Sequence, residues 1–307
     1  MDAAPTEAAG AAGPGNWRER HAGALRRWRL YAHLFRRSFS SMLGLALVLA
    51  FLLLAAFGPA LAPYPEDAQG AVHLERKLEP PSAAYPFGTD EMGNDILSRV
   101  IVGTRTSLWI GLVITAVAVL VGVPLGIVAG YLGGRKREAI MRVTDVFLSV
   151  PGLALALAIV ASLGPGIMNC VIALALVWWP GYVRLIESKT LSLKQELFVE
   201  AARAVGAGTP YILWRHILPN CVSPLIVKAS MDFGLAVLAA ASLGFIGLGA
   251  KAPAPEWGSM ISIARSYMPE SWWYALAPGL AIYLTVLGFN LFGDGLRDLL
   301  DPKSRPS

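Results

Sequence analysis

Residues 108–132 read LWIGLVITAVAVLVGVPLGIVAGYL and contain no charged side chain. About 20 apolar residues in a helix cross the ~30 Å hydrocarbon core of a bilayer. Backbone groups in lipid must be satisfied within their own segment, so this stretch reads as a transmembrane helix. Five further stretches share its character: 42–62, about 143–163, 167–186, 222–248 and about 273–292. The expected fold class is an all-α integral membrane protein with six transmembrane helices. Composition agrees, because 55% of the 307 residues are hydrophobic and only 15% are charged. A soluble domain of this length needs more charge on its surface.

The loops between the spans set orientation. Residues 16–38, NWRERHAGALRRWRLYAHLFRRS, hold seven arginines ahead of the first span. They read either as an amphipathic helix lying on the membrane or as a positive-inside anchor. Residues 2–15, DAAPTEAAGAAGPG, are low-complexity and expected to be disordered. No secretory signal is read, so the first span is expected to stay as an anchor. If the basic tail is cytoplasmic, so are 133–142 (GGRKREAIMR), the Glu200 segment and the tail with Arg297, Lys303 and Arg305. The 63–107 loop, with Glu66, Asp67, Glu75, Glu79, Asp90, Glu91 and Asp95, then lies outside.

The expected organisation is a cytoplasmic basic tail over 1–41, an anchor helix over 42–62 and an extracytoplasmic loop over 63–107. A core over 108–296 follows, with a cytoplasmic loop at about 187–219, and 297–307 forms a second cytoplasmic tail. The net charge of +5 does not point to nucleic acid, because the basic residues flank the spans. Cys170 and Cys221 form no CxxC pair and read as apolar fillers. The four histidines lack metal-ligand spacing.

Residues 200–220, EAARAVGAGTPYILWRHILPN, are polar enough to be wet, yet lie between two apolar segments long enough to span. Ser192 and Gln195 fit a capping box, with a helix expected over 193–205. Gly206 and Gly208 end it. Thr209 as N-cap and Pro210 at the first position start a second, short helix, which Pro219 interrupts. Ala201 and Ala202 permit close approach of another surface, and Glu200 offers an acidic handle. The segment reads either as a docking helix or as an ordinary amphipathic connection.

Pro151-Gly152, Pro180-Gly181 and Pro124 lie inside expected spans, where each proline removes a hydrogen bond. They read as hinges or as static bends. Lys228 and Asp232, at i,i+4, are placed to form an intramembrane ion pair. Asp145 follows Arg142 by three residues and Arg184 precedes Glu187 by three, again near the inner ends of spans. Gly244, Gly247 and Gly249 permit close helix approach. Trp257, Trp272 and Trp273 are candidate interfacial anchors, Trp272 and Trp273 above all.

Glu200-Ala201-Ala202, Gly206 and Leu218-Pro219 resemble the EAA motif of ATP-binding-cassette importer permeases. Residues 86–108 (PFGTDEMGNDILSRVIVGTRTSL), 130–157 (GYLGGRKREAIMRVTDVFLSVPGLALAL), 178–193 (WWPGYVRLIESKTLSL) and 284–302 (LTVLGFNLFGDGLRDLLDP) are similar to the C-type permeases of dipeptide and oligopeptide importers. The match runs from about residue 37 to 302. This sequence departs from the pattern at Asn94, where arginine is frequent, and at His216, where an aliphatic residue is usual.

The resemblance implies a type I ABC importer (MetI-like) permease fold in a bacterial inner membrane, multi-pass, with both termini cytoplasmic. It implies that Glu200, Ala201, Ala202, Gly206, Leu218 and Pro219 couple the chain to cytosolic ATPases. Implied partners are a homologous second permease, two ATPase subunits, an extracytoplasmic solute-binding protein and membrane lipid. The acidic 63–107 loop and 251–272 are the candidate surfaces for the binding protein.

No GxxxxGK[ST] loop occurs, so no cofactor is expected on this chain, and ATP and Mg are expected on the partner subunits. Peptides are the expected cargo; nickel chelates, opines, glutathione or a sugar oligomer are alternatives within the class. From other classes, an intramembrane enzyme lacks facing catalytic groups in its spans, and a secondary transporter lacks a midplane acid. Neither a catalytic nor a metal-binding residue is expected.

Overall fold

A computed structural model describes Phe35, residues 38–251 and residues 253–300. The low-complexity start, nearly all of the arginine-rich stretch and the tail beyond 300 lie outside the described residues. In chain order the helices are α1 (Phe39–Leu61), α2 (Ile96–Leu132), α3 (Gly134–Ser149), α4 (Gly152–Leu163) and α5 (Ile167–Leu193). The short α6 (Leu197–Ala204), the long α7 (Thr209–Phe245), α8 (Trp257–Ala264) and α9 (Trp272–Leu300) follow. Among the described residues α1, α2, α5, α7 and α9 are each long and apolar enough to cross a membrane.

The apolar stretch at about 143–163 is not a straight span. α3 and α4 meet at an 85° bend over Val150 and Pro151, both of extended backbone. Pro151 has no N–H to continue the helix and pushes the residue before it out of helical conformation. Helix also covers most of 133–142, which was expected to be loop. By contrast, α2 runs unbroken through Pro124 and α5 through Pro180-Gly181. Of the three proline sites, only 151–152 breaks the chain.

Two helix ends lie well beyond their apolar runs. α2 starts at Ile96, because the Asp95 carboxylate caps it by accepting from the Ser98 amide at 2.8 Å and hydroxyl at 2.6 Å. At 37 residues it is about 55 Å long, well over a bilayer core. Residues 96–107 are therefore helix rather than loop, and 297–300 complete α9 rather than beginning a tail.

The most extensive helix pairing joins α2 to α5, and a glycine ladder makes it possible. A Cβ at Gly126 would stand 2.8 Å from both Ile186 Cβ and the Val183 carbonyl oxygen. Gly122 meets Tyr182 and Gly130 meets Thr190 in the same way, so both helices advance by four residues per rung. That common advance makes them parallel, and close backbone approach replaces the side-chain layer. The G-x3-G-x3-G spacing stands in the stretch quoted first and was not singled out from sequence. α9 packs on α1 and α7, where Phe233 and Phe289 stack at 4.1 Å.

The end of the bundle away from α6 is closed by residues 62–95 and 250–271. Asp67 accepts from the Asp95 amide at 2.7 Å and stands 3.2 Å from His73 Nε2. Arg99 reaches Asp90 at 3.3 Å and donates to the Asp67 carbonyl at 3.2 Å. Asn94 amide and side chain both donate to Asp90, at 2.9 and 3.3 Å. Tyr274 hydroxyl donates to Glu91 at 2.6 Å, tying this cap to α9. Burial pushes the Asp90 carboxyl above the ordinary carboxylate range, against the pull of Arg99. Gly244 packs against Glu256 and Ser259, and Gly247 turns the chain at φ +91°. Trp257 is not an interfacial anchor. It is fully buried, and its Nε1 donates to the Val100 carbonyl at 3.1 Å.

Candidate functional site

The 187–219 loop folds differently in detail from the sequence expectation. Ser192 caps nothing, because α5 continues through Leu193 and the turn at Lys194–Glu196 precedes α6. α6 starts at Leu197 with Glu196 at the N-cap and no side-chain cap. Its end is as expected. Gly206 takes φ +79°, its N–H donates to Arg203 O at 2.9 Å, and Ala207 N–H donates to Ala202 O at 3.0 Å. These two bonds form a Schellman motif.

Thr209 is itself helical, with Gly208 at the N-cap and Pro210 within the first turn. Pro219 does not interrupt. Residues Leu213–Ile217 form a π-turn, and helix continues through Leu218–Phe245. The wider turn precedes the proline, which cannot donate to the carbonyl four residues back and crowds it.

The π-turn sets which side chains face inward. Ile212, Ile217 and Cys221 are buried, spaced by five and then four residues. In an unbroken α-helix His216 would lie inward below Ile212. Here Ile217 takes that place, and His216 sits between the rings of Phe198 (6.0 Å) and Tyr211 (5.7 Å). The departure at 216 is thus absorbed by local repacking.

The Ala201-Ala202 pair divides between two faces. Ala202 is buried with Val199, Ile212 and Ile217 against Ile127, Tyr131, Ile186 and Leu193. Ala201 and Glu200 point away from the protein, and so do Leu197 (80% exposed) and Val205 (84%), while Trp214 borders an apolar groove against Val119, Val123 and Pro124 of α2. Leu218 is half-buried and Pro219 exposed. The loop therefore presents Leu197, Ala201 and Val205 outward among the exposed charges of Glu196, Glu200, Arg203 and Arg215. A solitary exposed apolar side chain is unremarkable, whereas several on one short hairpin mark an interaction face.

Polar contacts hold this hairpin to the bundle at few points. Lys194 Nζ donates to the Tyr131 carbonyl at 2.8 Å, and Arg203 Nε donates to the Tyr131 hydroxyl at 3.2 Å. Arg137 of α3 reaches Glu187 of α5 at 2.6 Å. The i,i+3 neighbours 142/145 and 184/187 do not pair with each other. Asp145 pairs with Arg184 at 2.5 Å across helices, and Arg142 with Glu138 at 2.8 Å along α3. Lys228 and Asp232 pair as expected, at 3.0 Å, with the ammonium 5.1 Å over the Tyr182 ring. Tyr131 carried no signal in the sequence beyond its place at a span end. Among the described residues, no cluster of three or more His, Cys, Asp or Glu could hold a metal.

Comparison with known proteins gives this geometry a context. Residues 122–306 match the family model described as binding-protein-dependent transport system inner membrane component. Residues 26–81 match the N-terminal transmembrane domain of oligopeptide transport permease C. The probable D,D-dipeptide transport system permease protein DdpC of Escherichia coli (strain K12) is 48% identical, over 84% of this chain and 86% of its own. The di/tripeptide permease DppC of Pseudomonas aeruginosa and the glutathione permease GsiD of Pectobacterium atrosepticum are each 45% identical, over 90% of this chain and 91% of theirs. In fold, the chain resembles an inward-facing structure of the MetNI methionine ABC transporter, with a TM-score of 0.55 at 17% identity, covering 66% of this chain and 96% of that one. With a family model matching more than half its length and relatives this similar over most of it, the chain belongs to the binding-protein-dependent permeases of the inner membrane, in their dipeptide and oligopeptide permease C group, as a non-catalytic, multi-pass membrane subunit.

Proposed function

We propose that this chain forms, with a homologous second permease, the pathway of an ATP-driven importer for short peptides. Cargo arrives from an extracytoplasmic solute-binding protein at the 62–95 and 250–271 end. Two ATPase subunits, which carry ATP and Mg, seat on the α6 hairpin, and both chain termini lie on their side of the membrane. Glu200, Ala201, Gly206 and Pro219 face those ATPases, while Ala202 and Leu218 hold the hairpin on the bundle. Short peptides are favoured because dipeptide, di/tripeptide and glutathione permeases are all among the relatives at 43–48% identity.

The observation that carries the coupling role is the outward face of the hairpin, where Leu197, Ala201 and Val205 stand beside Glu200, in a chain without a phosphate-binding loop. Energy must then enter through contact. Glu200→Lys reverses the charge on that face. Gly206→Leu forces a side chain into a left-handed turn, at a cost of about 1 kcal/mol or more. Both variants should insert in the membrane normally and lose peptide uptake in cells expressing the whole complex. Wild-type uptake in both would refute the coupling role.

A further inference from the structure

We infer that Tyr131 is a positioning residue that transmits displacement of the α6 hairpin to the α2–α5 pair. The inference rests on the coupling role proposed for the hairpin. Tyr131 is the penultimate residue of α2 and is almost wholly buried. Among the described residues, both side-chain hydrogen bonds from 194–204 to a span end on it, one on its carbonyl and one on its hydroxyl. The two donors also lie over its ring, Lys194 Nζ at 5.6 Å and Arg203 Cζ at 5.1 Å.

Lys194 precedes α6 and Arg203 lies in its last turn, so the tyrosine is held from both ends of the hairpin's first helix. α6 does not pack broadly against any other helix, which concentrates its mechanical connection at this residue and at buried Val199 and Ala202.

The geometry beyond Tyr131 suits force transmission. Gly130, its neighbour, is the last rung of the ladder on α5, where a Cβ would stand 2.6 Å from Thr190 Cβ. Because the two backbones touch there, a push on Tyr131 displaces α2 and α5 together. A close-packed pair moves as one body rather than deforming gradually. Gly133 and Gly134, both at positive φ, turn the chain into α3, which Arg137–Glu187 and Asp145–Arg184 tie to α5, so α3 follows the pair.

The test uses the whole complex in proteoliposomes, with binding protein presented in a casein-hydrolysate peptide mixture. Basal ATP hydrolysis and its stimulation by binding protein are read separately. Coupling between two sites is reciprocal, so a broken strut silences the outer signal at the ATPases. Tyr131→Leu removes the ring and the hydroxyl. It should keep basal hydrolysis and ATPase recruitment and lose stimulation by about fivefold or more. Arg203→Met, which leaves the tyrosine in place, should do the same. Tyr131→Phe keeps the ring and the carbonyl and should restore most of the stimulation.

Full stimulation in Tyr131→Leu would overturn the inference. So would a parallel fall of basal hydrolysis and recruitment in Tyr131→Leu and Arg203→Met, the mark of a merely structural role. Glu200→Lys separates the two levels. Its normal recruitment and stimulation would defeat the coupling role itself. Its failure beside a normal Tyr131→Leu would defeat the strut alone.

Discussion

The two ends of the bundle solve opposite problems. At the cap, Asp67, Asp90, Asp95 and Glu256 are each no more than 3% exposed, and the chain supplies hydrogen-bonding or ionic partners to each of them. At the α6 hairpin the chain does the reverse and turns Leu197 and Val205 outward. Buried polar groups need partners, and most here find them within one chain, while Asn94 Oδ1 and Asp95 Oδ1 are left without a hydrogen bond. Exposed apolar groups on a hairpin of this size invite a partner from another chain. One end satisfies most of its buried polar groups internally, and the other leaves apolar side chains uncovered.

The largest effect that would break this contrast lies at the cap. Arg99→Met leaves Asp90 buried without its cation, and losing one member of a buried pair costs about 3–5 kcal/mol. The purified permease should lose most of its folded, monodisperse fraction on warming in detergent. A variant as stable as wild type would show that the cap does not depend on the pair.

Next comes a pH effect. Burial holds the Glu256 carboxyl above the ordinary carboxylate range, while it accepts from the Gly258 and Ser259 amides and the Ser259 hydroxyl. The folded state therefore binds this proton more tightly than the unfolded chain. Its contribution is present at low pH and lost as pH rises through the folded-state value. Melting temperature of the wild type should carry that downward slope with rising pH, and Glu256→Gln should reduce it, the remainder coming from Asp90 and Asp95, which burial also raises. An unchanged slope in the variant would place the titration elsewhere.

A smaller effect is expected at Asp145→Asn, which breaks the pair with Arg184. Both side chains are about half exposed, so the cost should be within ~1 kcal/mol, read by the same thermal assay. A cost of several kcal/mol would mean that the pair is shielded from water rather than half exposed.

The smallest effect on stability is the most informative for the comparison. Leu197→Asp with Val205→Asp should leave folding within ~0.5 kcal/mol, because neither side chain is buried. Recovery of the ATPase with the permease from detergent should nonetheless fall steeply. If recovery is unchanged, the hairpin's outward face is not the seat.

The spans were legible because a run such as 108–132 has few other structural meanings in water or lipid. Their ends were less so. Apolarity stops where lipid stops, but α2 continues to Asp95 because a capping carboxylate, not hydropathy, ends it. The 85° bend was signalled by Pro151-Gly152, whereas Pro180-Gly181 gave an equal signal and no break. The difference lies in packing, since Pro180 is buried in the α2–α5 contact region and Pro151 is exposed.

In the hairpin, Gly206 was legible because left-handed backbone is a local demand of the chain. The roles of Arg203 and Tyr131 were not, since 72 residues separate them and no local pattern links them. Ser192-Gln195 misled because a capping box resembles any polar pair that follows an apolar helix.

The π-turn at Leu213–Ile217 bears on more than His216. One added residue per turn changes the azimuth of everything that precedes it by about 100° relative to the span that follows. The direction in which the α6 hairpin looks is therefore a separate variable from the direction in which α7 buries its apolar stripe. Removing a single residue between 213 and 217 would leave both helices intact and aim the hairpin at a different compass point.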